Sequence, residues 1–220
     1  MKGYSKLAAA VLTAAGVGAA GTAIAAEQMG VSKNEIVIGT IQDLSGPLAG
    51  FGKALRYGMQ MRVDEVNDQG GINGRKLKFI AEDSGYDPKK GLLAAQKMVQ
   101  QDKLFAMVGT IGTAVNLATF PTLFDKGVMN LFPLTAAREM YEPLHKLKFS
   151  FAAPYYTQMR MSLKWMTKER GAKKFCVIYQ DDDFGTEVLK GAEDGLKDLN
   201  MTFVEKTSFK RGATDFSAQV

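Results

Sequence analysis

Residues 35–55 read EIVIGTIQDLSGPLAGFGKAL. Glu35 to Ile41 is a run rich in β-branched side chains and reads as a strand. A Gly/Pro-rich loop follows. Beyond it, from Phe51 to Asn67, Leu55, Met59, Val63 and Val66 recur at helical spacing on one stripe. A strand, a glycine-rich loop and a helix, in that order, can cradle a nucleotide phosphate. That pattern needs Gly at the fifth position before its Gly-Lys pair and Ser or Thr just after it. Here Pro47 takes the first place and Ala54 the last. The loop therefore has another job.

The alternation continues down the chain. KLKFIAED (76–83) reads as a strand after the turn cluster 68–76. Pro88 opens a helix at its first turn, with Leu92, Ala95 and Val99 as its apolar stripe. LFAMVG (104–109) is a strand, and Ala114 to Asp125 is a helix expected to break or restart near Pro121. VMNLF (128–132) is a further strand. Strands alternating with helices give βαβ units and a parallel sheet covered on both faces. The loops after the strands then share one edge, where an open α/β sheet binds its ligand. Loops 42–52, 109–114 and 133–138 qualify.

A second unit follows, with FSFAAP (149–154) extended, a helix from Tyr156 to Arg170, a strand at KKFCVIY (173–179), a helix from Gly185 to Leu199 and a strand at MTFVEKTSF (201–209). Thr214 reads as a helix N-cap before DFSAQV. One helical turn is not stable alone, so the chain is expected to be part of a longer protein whose second lobe is incomplete.

Composition narrows the class. Hydrophobic residues make up 46% of the 220 residues and charged residues 23%, the balance of a globular protein. Lys2 and Lys6 precede the uncharged segment Leu7–Ala25, which ends in the small-x-small triplet Ala23-Ile24-Ala25. This is a secretory signal peptide, cleaved near Ala25 or Ala26. A membrane anchor is the alternative, but a segment of Ala and Gly with little Leu or Phe gains little from lipid. The net charge is +5, with the basic residues of the remaining chain scattered among acids, which argues against nucleic-acid binding. Cys176 is the single cysteine, so no intramolecular disulfide forms; it reads as a core residue, as do Met59, Met98, Met107, Met129 and Met166. An exported chain without an N-terminal lipid-bearing cysteine fits the periplasm.

In this setting LSGPLAGFG, GGINGRKL (70–77), EDSGYDP (82–88) and DDDFGTEV (181–188) occur in order. From about residue 33 to its end the chain resembles the branched-chain amino acid (Leu/Ile/Val) binding proteins, the type I periplasmic solute-binding proteins of ABC transporters. The resemblance implies an α/β protein of two Rossmann-like lobes with parallel sheets and a ligand held between them. Its layout would be a signal peptide over 1–25, an N-terminal lobe over 33–150 and a partial second lobe over 151–220. The chain would first cross between lobes near Phe151 to Tyr156. Some members carry a disulfide joining the region of Tyr86 to the loop at Gly112; neither position is Cys here.

The candidate site follows from these loops. Gly109-Thr110-Ile111-Gly112-Thr113 runs from a strand into a helix, whose first N–H groups attract an anion. The resemblance implies that Ile111, Gly112 and Thr113 meet a ligand carboxylate; Thr113 could instead serve only as the helix N-cap. The next loop offers Leu134, Thr135 and Ala136. The hydroxyl that the family places here falls on Ala136, with Thr135 one residue earlier, a departure that admits ligands without an ammonium group. Arg138 either grips a carboxylate or pairs with Glu139 or Glu142. The resemblance implies that Phe51 and Phe184 meet the ligand from opposite lobes, and two phenylalanines would clamp an apolar ligand body; the alternative is core packing. Asp181-Asp182-Asp183 lacks the spacing of a calcium loop and reads as a solvated loop. His145, the single histidine, has no partners for a metal or a catalytic triad.

The expected function is ligand binding without catalysis or cofactor, as a monomer that delivers a small molecule to an inner-membrane ABC permease. A ligand-sensing module of the same fold in a receptor or regulator is the rival. An enzyme on this α/β frame would need a phosphate loop, a dinucleotide fingerprint or a base–nucleophile pair, and none is legible.

Overall fold

The computed structural model describes residues 28–220; the segment 1–25, read from the sequence as a signal peptide, lies outside them. The first strand, β1 (Glu35–Gln42), pairs in parallel with β2 (Lys76–Asp83) along its whole length. Three short strands extend the sheet on the other side of β1: β3 (Ala106–Val108), β4 (Met129–Leu131) and β5 (Lys148–Phe149). The order is β2-β1-β3-β4-β5, all parallel. The direction of winding reverses between β1 and β3, and an open sheet leaves a crevice at that point.

Crossover handedness sends α1 (Ala49–Asp68) to one face of the sheet, and α2 (Pro88–Gln100) and α3 (Thr113–Phe124) to the other. On the latter face Val37 and Ile41 of β1 meet Ala95, Met98 and Val99 of α2 and Val115 and Leu123 of α3. Asp87 caps α2, accepting from the N–H groups of Lys89 and Lys90, and Pro88 follows at the first helical position. Helix α3 runs unbroken through Pro121, contrary to the expected break. An interior proline costs a hydrogen bond and about 3 kcal/mol. Burial of Val115, Phe120 and Leu123 offsets that loss.

The segment 150–154 joins this sheet to a second unit. There α4 (Tyr155–Arg170) and α5 (Asp183–Lys197) pack together over Leu163, Ala192 and Leu196, beside the parallel pair β6 (Cys176–Gln180) and β7 (Glu205–Phe209). Gly171, in the left-handed conformation, ends α4. The two helices approach so closely because Gly191 has no side chain: a Cβ there would lie 2.5 Å from the Cα of Tyr156.

Three expectations fail in this second unit. Cys176 is exposed, as is Ile178, so alternate residues of β6 face outward while Val177 and Tyr179 turn inward. Met166 is exposed on α4, whereas Met98 and Met107 are fully buried. No helix follows Thr214. Instead the Asp215 carboxylate accepts from the backbone N–H and hydroxyl of Ser217, and Phe216 packs edge-on against Phe209. A local side-chain turn takes the place of the expected helical start.

Two glycine substitutions test the packing with opposite signs. Gly191→Ala forces α4 and α5 apart and should cost about 1–3 kcal/mol. Gly58→Ala, in the middle of α1 with no atom within 4 Å of its new methyl group, should stabilise by about 0.5–1 kcal/mol. Urea unfolding monitored by circular dichroism measures both.

Candidate functional site

The loop after β1 is built around a carboxylate of the chain itself. Asp43 is fully buried, and its oxygens accept from the N–H groups of Gly46, at 2.5 Å, and Leu48, at 2.6 Å. The first turn of α1 presses against its carbonyl, where a Cβ on Gly52 would stand 2.0 Å from the oxygen. Asp83, at the end of β2, accepts from the N–H groups of Leu44 and Gly85, each at 2.8 Å. Burial works to raise the Asp83 pKa, but hydrogen bonds from Ser45, Leu44 and Gly85, with Lys90 nearby, outweigh it and hold the carboxyl below its ordinary range. A depressed carboxyl stabilises above its unfolded pKa, and that support is lost as pH falls through the folded value. The loops after β1 and β2 are thus tied together at neutral pH and loosen in acid.

Helix α3 starts at the crevice. Its N-cap is Gly112, at φ +96°, and Thr113 is its first helical residue, so Thr113 is not the cap. Gly112 has no side chain to offer, and the N–H groups of Thr113, Ala114 and Val115 find no acceptor among the described residues. The Thr113 hydroxyl instead meets the Thr135 hydroxyl at 2.6 Å, and both residues are buried. That contact joins the loop after β3 to the loop after β4.

Above this pair lies a cavity of about 470 Å³ between the two units. Phe51, Ile111, Gly112, Thr113, Leu134, Thr135 and Phe184 all line it. Phe51 is 69% exposed at its mouth, while Phe184 is half-buried, held edge-on by Tyr155 with ring centroids 5.2 Å apart. Ala136 stands apart: it is buried, does not line the cavity, and its carbonyl accepts the N–H of Tyr155 at the start of α4. Its place is the joint between the units.

Arg138 does grip a carboxylate in a bidentate fashion, but one of the chain itself, and not that of Glu139 or Glu142. Its Nε and Nη2 donate to the two carboxylate oxygens of Glu187 on α5, at 2.8 and 2.9 Å, and its guanidinium lies 4.0 Å from the centre of the Tyr156 ring. The hydrogen bonds to Glu187, together with its charge, raise the Arg138 pKa above the ordinary arginine value against the effect of burial. Asp182 is not simply solvated either. It caps α5 by accepting from the N–H of Gly185, and it pairs with Arg211. His145 stacks on Phe124 with ring centroids 4.4 Å apart.

The cavity lining includes residues that the sequence reading did not single out, among them Tyr86, Tyr155 and Gln180 from the body of the fold and Gly212 and Ala213 from the loop after β7. Tyr86 belongs to the loop after β2, which opens on the same sheet edge as the three loops singled out. That edge rule could have found it. Its left-handed backbone, at φ +63°, had no signal in the sequence.

Residues 35–220 match the family model described as periplasmic binding protein. The chain belongs to the type I periplasmic binding proteins, in their branched-chain amino acid family. It is 30% identical over 217 residues to a Brucella melitensis protein named Leu/Ile/Val-binding protein homolog 3, covering 98% of this chain and 56% of that one. The crystal structure of a substrate-binding periplasmic protein from Ralstonia solanacearum is similar, with a TM-score of 0.77 and 26% identity over 84% of this chain and 52% of that one. So is the branched-chain amino acid transporter substrate-binding protein of Streptococcus pneumoniae in complex with isoleucine, with a TM-score of 0.74 and 26% identity over 84% of this chain and 53% of that one. The periplasmic binding protein thus spans about half the length of the relatives it matches.

The buried Asp43 provides a test of how the site is held. Asp43→Ala leaves two partly buried N–H groups without acceptors and should destabilise by about 2 kcal/mol or more. Asp43→Asn keeps one acceptor and should lose less. Thermal unfolding of the two variants beside the parent protein measures the difference.

Proposed function

We propose that this periplasmic binding protein is the extracytoplasmic substrate-binding component of an ABC transporter, exported through a cleaved signal peptide over residues 1–25. It binds a small carboxylate-bearing molecule with an apolar body between its lobes, closes on it by hinge motion and presents it to an inner-membrane permease. It does no chemistry on the ligand. The names of the relatives favour a branched-chain amino acid, and a related apolar or aromatic acid is the next class.

The observation that carries this reading is the meeting, in one cavity, of two phenylalanines from opposite lobes with an anion-attracting helix start. In the proposed complex the N–H groups at the start of α3 and the Thr113 hydroxyl donate to the carboxylate. The Thr113–Thr135 bond uses only one of the two hydroxyl hydrogens, so the second remains for the ligand. Phe51 and Phe184 cover the apolar body from either side. With Ala136 turned away from the cavity, the first lobe offers the carboxylate more than it offers an ammonium group.

A thermal-shift series with leucine, isoleucine, valine, benzoate and acetamide should raise the melting temperature for the carboxylates and leave it unmoved by the amide. Thr113→Val then keeps the shape and removes the oxygen. A hydrogen bond to a charged group contributes about 1.5–3 kcal/mol, so titration calorimetry should show affinity lower by roughly tenfold to a hundredfold. An unchanged dissociation constant with a lowered melting temperature would mean that Thr113 only ties two loops together.

A further inference from the structure

Two side chains of the second lobe, held by a third, converge on one residue of the first. Arg211, in the loop after β7, donates from Nη1 to the carbonyl of Tyr86 at 3.2 Å, and its guanidinium lies 5.0 Å from the centre of the Tyr86 ring. Gln180, at the end of β6, reaches the Tyr86 hydroxyl at 3.4 Å. Asp182 holds both donors: Arg211 Nε at 2.9 Å and Gln180 Nε2 at 2.6 Å. Tyr86 is buried, and its ring lies so close to Gly112, the N-cap of α3, that a Cβ there would stand 2.8 Å from Cε2.

These bonds differ in what a lobe motion does to them. Arg211, Asp182 and Gln180 belong to one lobe, so their mutual bonds survive when the lobes separate. The bonds to Tyr86 cross the cleft and break. Asp182 therefore orients the guanidinium in advance, and closing the cleft need not order a free arginine side chain. The side chains of Arg211 and Asp182 are only 21% and 9% exposed, which limits solvent screening of their pair.

The geometry points to Arg211, held by Asp182, as a latch that closes the second lobe onto Tyr86 and so presses the Tyr86 ring against the start of α3. Arg211 is a positioning residue: it does not line the cavity, and it sets the population of the closed form through the grip of its side chain on Tyr86. This inference rests on reading the interlobe cavity as the ligand site. Apparent affinity scales with the fraction of protein in the binding-competent form, so weakening the latch should weaken binding without altering any group that meets the ligand.

The test compares Arg211→Ala with Tyr86→Phe, which removes the hydroxyl but keeps the ring and the carbonyl that Arg211 grips. Small-angle scattering of the ligand-free protein should show a larger radius of gyration for Arg211→Ala than for the parent. With isoleucine as the probe, stopped-flow binding should show faster dissociation and an affinity lower by on the order of fivefold or more. Tyr86→Phe should change both much less. If Arg211→Ala does not fold, Arg211→Lys, which keeps the charge but loses the planar fork, takes its place. An unchanged radius of gyration in the arginine variant, or an effect no larger than that of Tyr86→Phe, overturns the latch. If isoleucine does not bind the parent protein, isoleucine is excluded as the ligand, and the ligand-free scattering still decides the latch.

Discussion

The carboxylate of Asp43 fixes the geometry on which the cleft depends. A buried acid must be hydrogen-bonded, and here the chain itself supplies the donors, from Gly46 and Leu48. The loop must therefore curl back on the end of β1, and Gly52 lets α1 start directly against it. Phe51 is carried to the mouth of the cavity as a result. Asp83 then ties the neighbouring loop to the same frame.

Much of this architecture was legible in the residues. The β-branched run of β1, the alternation of β2 and the apolar stripe of α1 placed these elements to within a residue or two, and Pro88 marked the start of α2. The pattern misled where local preference and burial disagree. Pro121 marks a helix break by its chemistry, yet α3 is packed closely enough to absorb the lost bond. Thr214 carries an N-cap side chain, but a cap adds only about 1 kcal/mol, and the Asp215–Ser217 turn forms in place of a helix. Cys176 sits in an apolar run that reads as buried on both faces, whereas one face of β6 is open.

The candidate site was legible as loops and not as partnerships. The sheet-edge loops held Phe51, Thr113 and Thr135, the family resemblance pointed to Phe51 and to Phe184 in the second lobe, and the fold brings all four to one cavity. The contacts that orient them join residues far apart in sequence. Arg138 meets Glu187 forty-nine positions away, and Arg211 meets Tyr86 across one hundred and twenty-five. No periodicity encodes such pairs. A local rule offered Glu139 and Glu142 for Arg138, and the lobe-to-lobe geometry supplied a carboxylate better aligned with the guanidinium fork.

The hydroxyl pair of Thr113 and Thr135 has a consequence for selectivity. Either oxygen can be the donor, so the pair has two proton arrangements of similar shape. One turns the Thr113 hydrogen outward; the other turns it toward Thr135 and leaves a Thr113 lone pair outward. A visiting group chooses between them by rotating two hydrogens while every heavy atom stays still. The pair alone therefore accommodates a proton acceptor and a proton donor alike. The asymmetry must come from the backbone of α3, whose N–H groups can only donate. In the proposed complex the polarity of the guest is thus read by the helix, and the two threonines follow its choice.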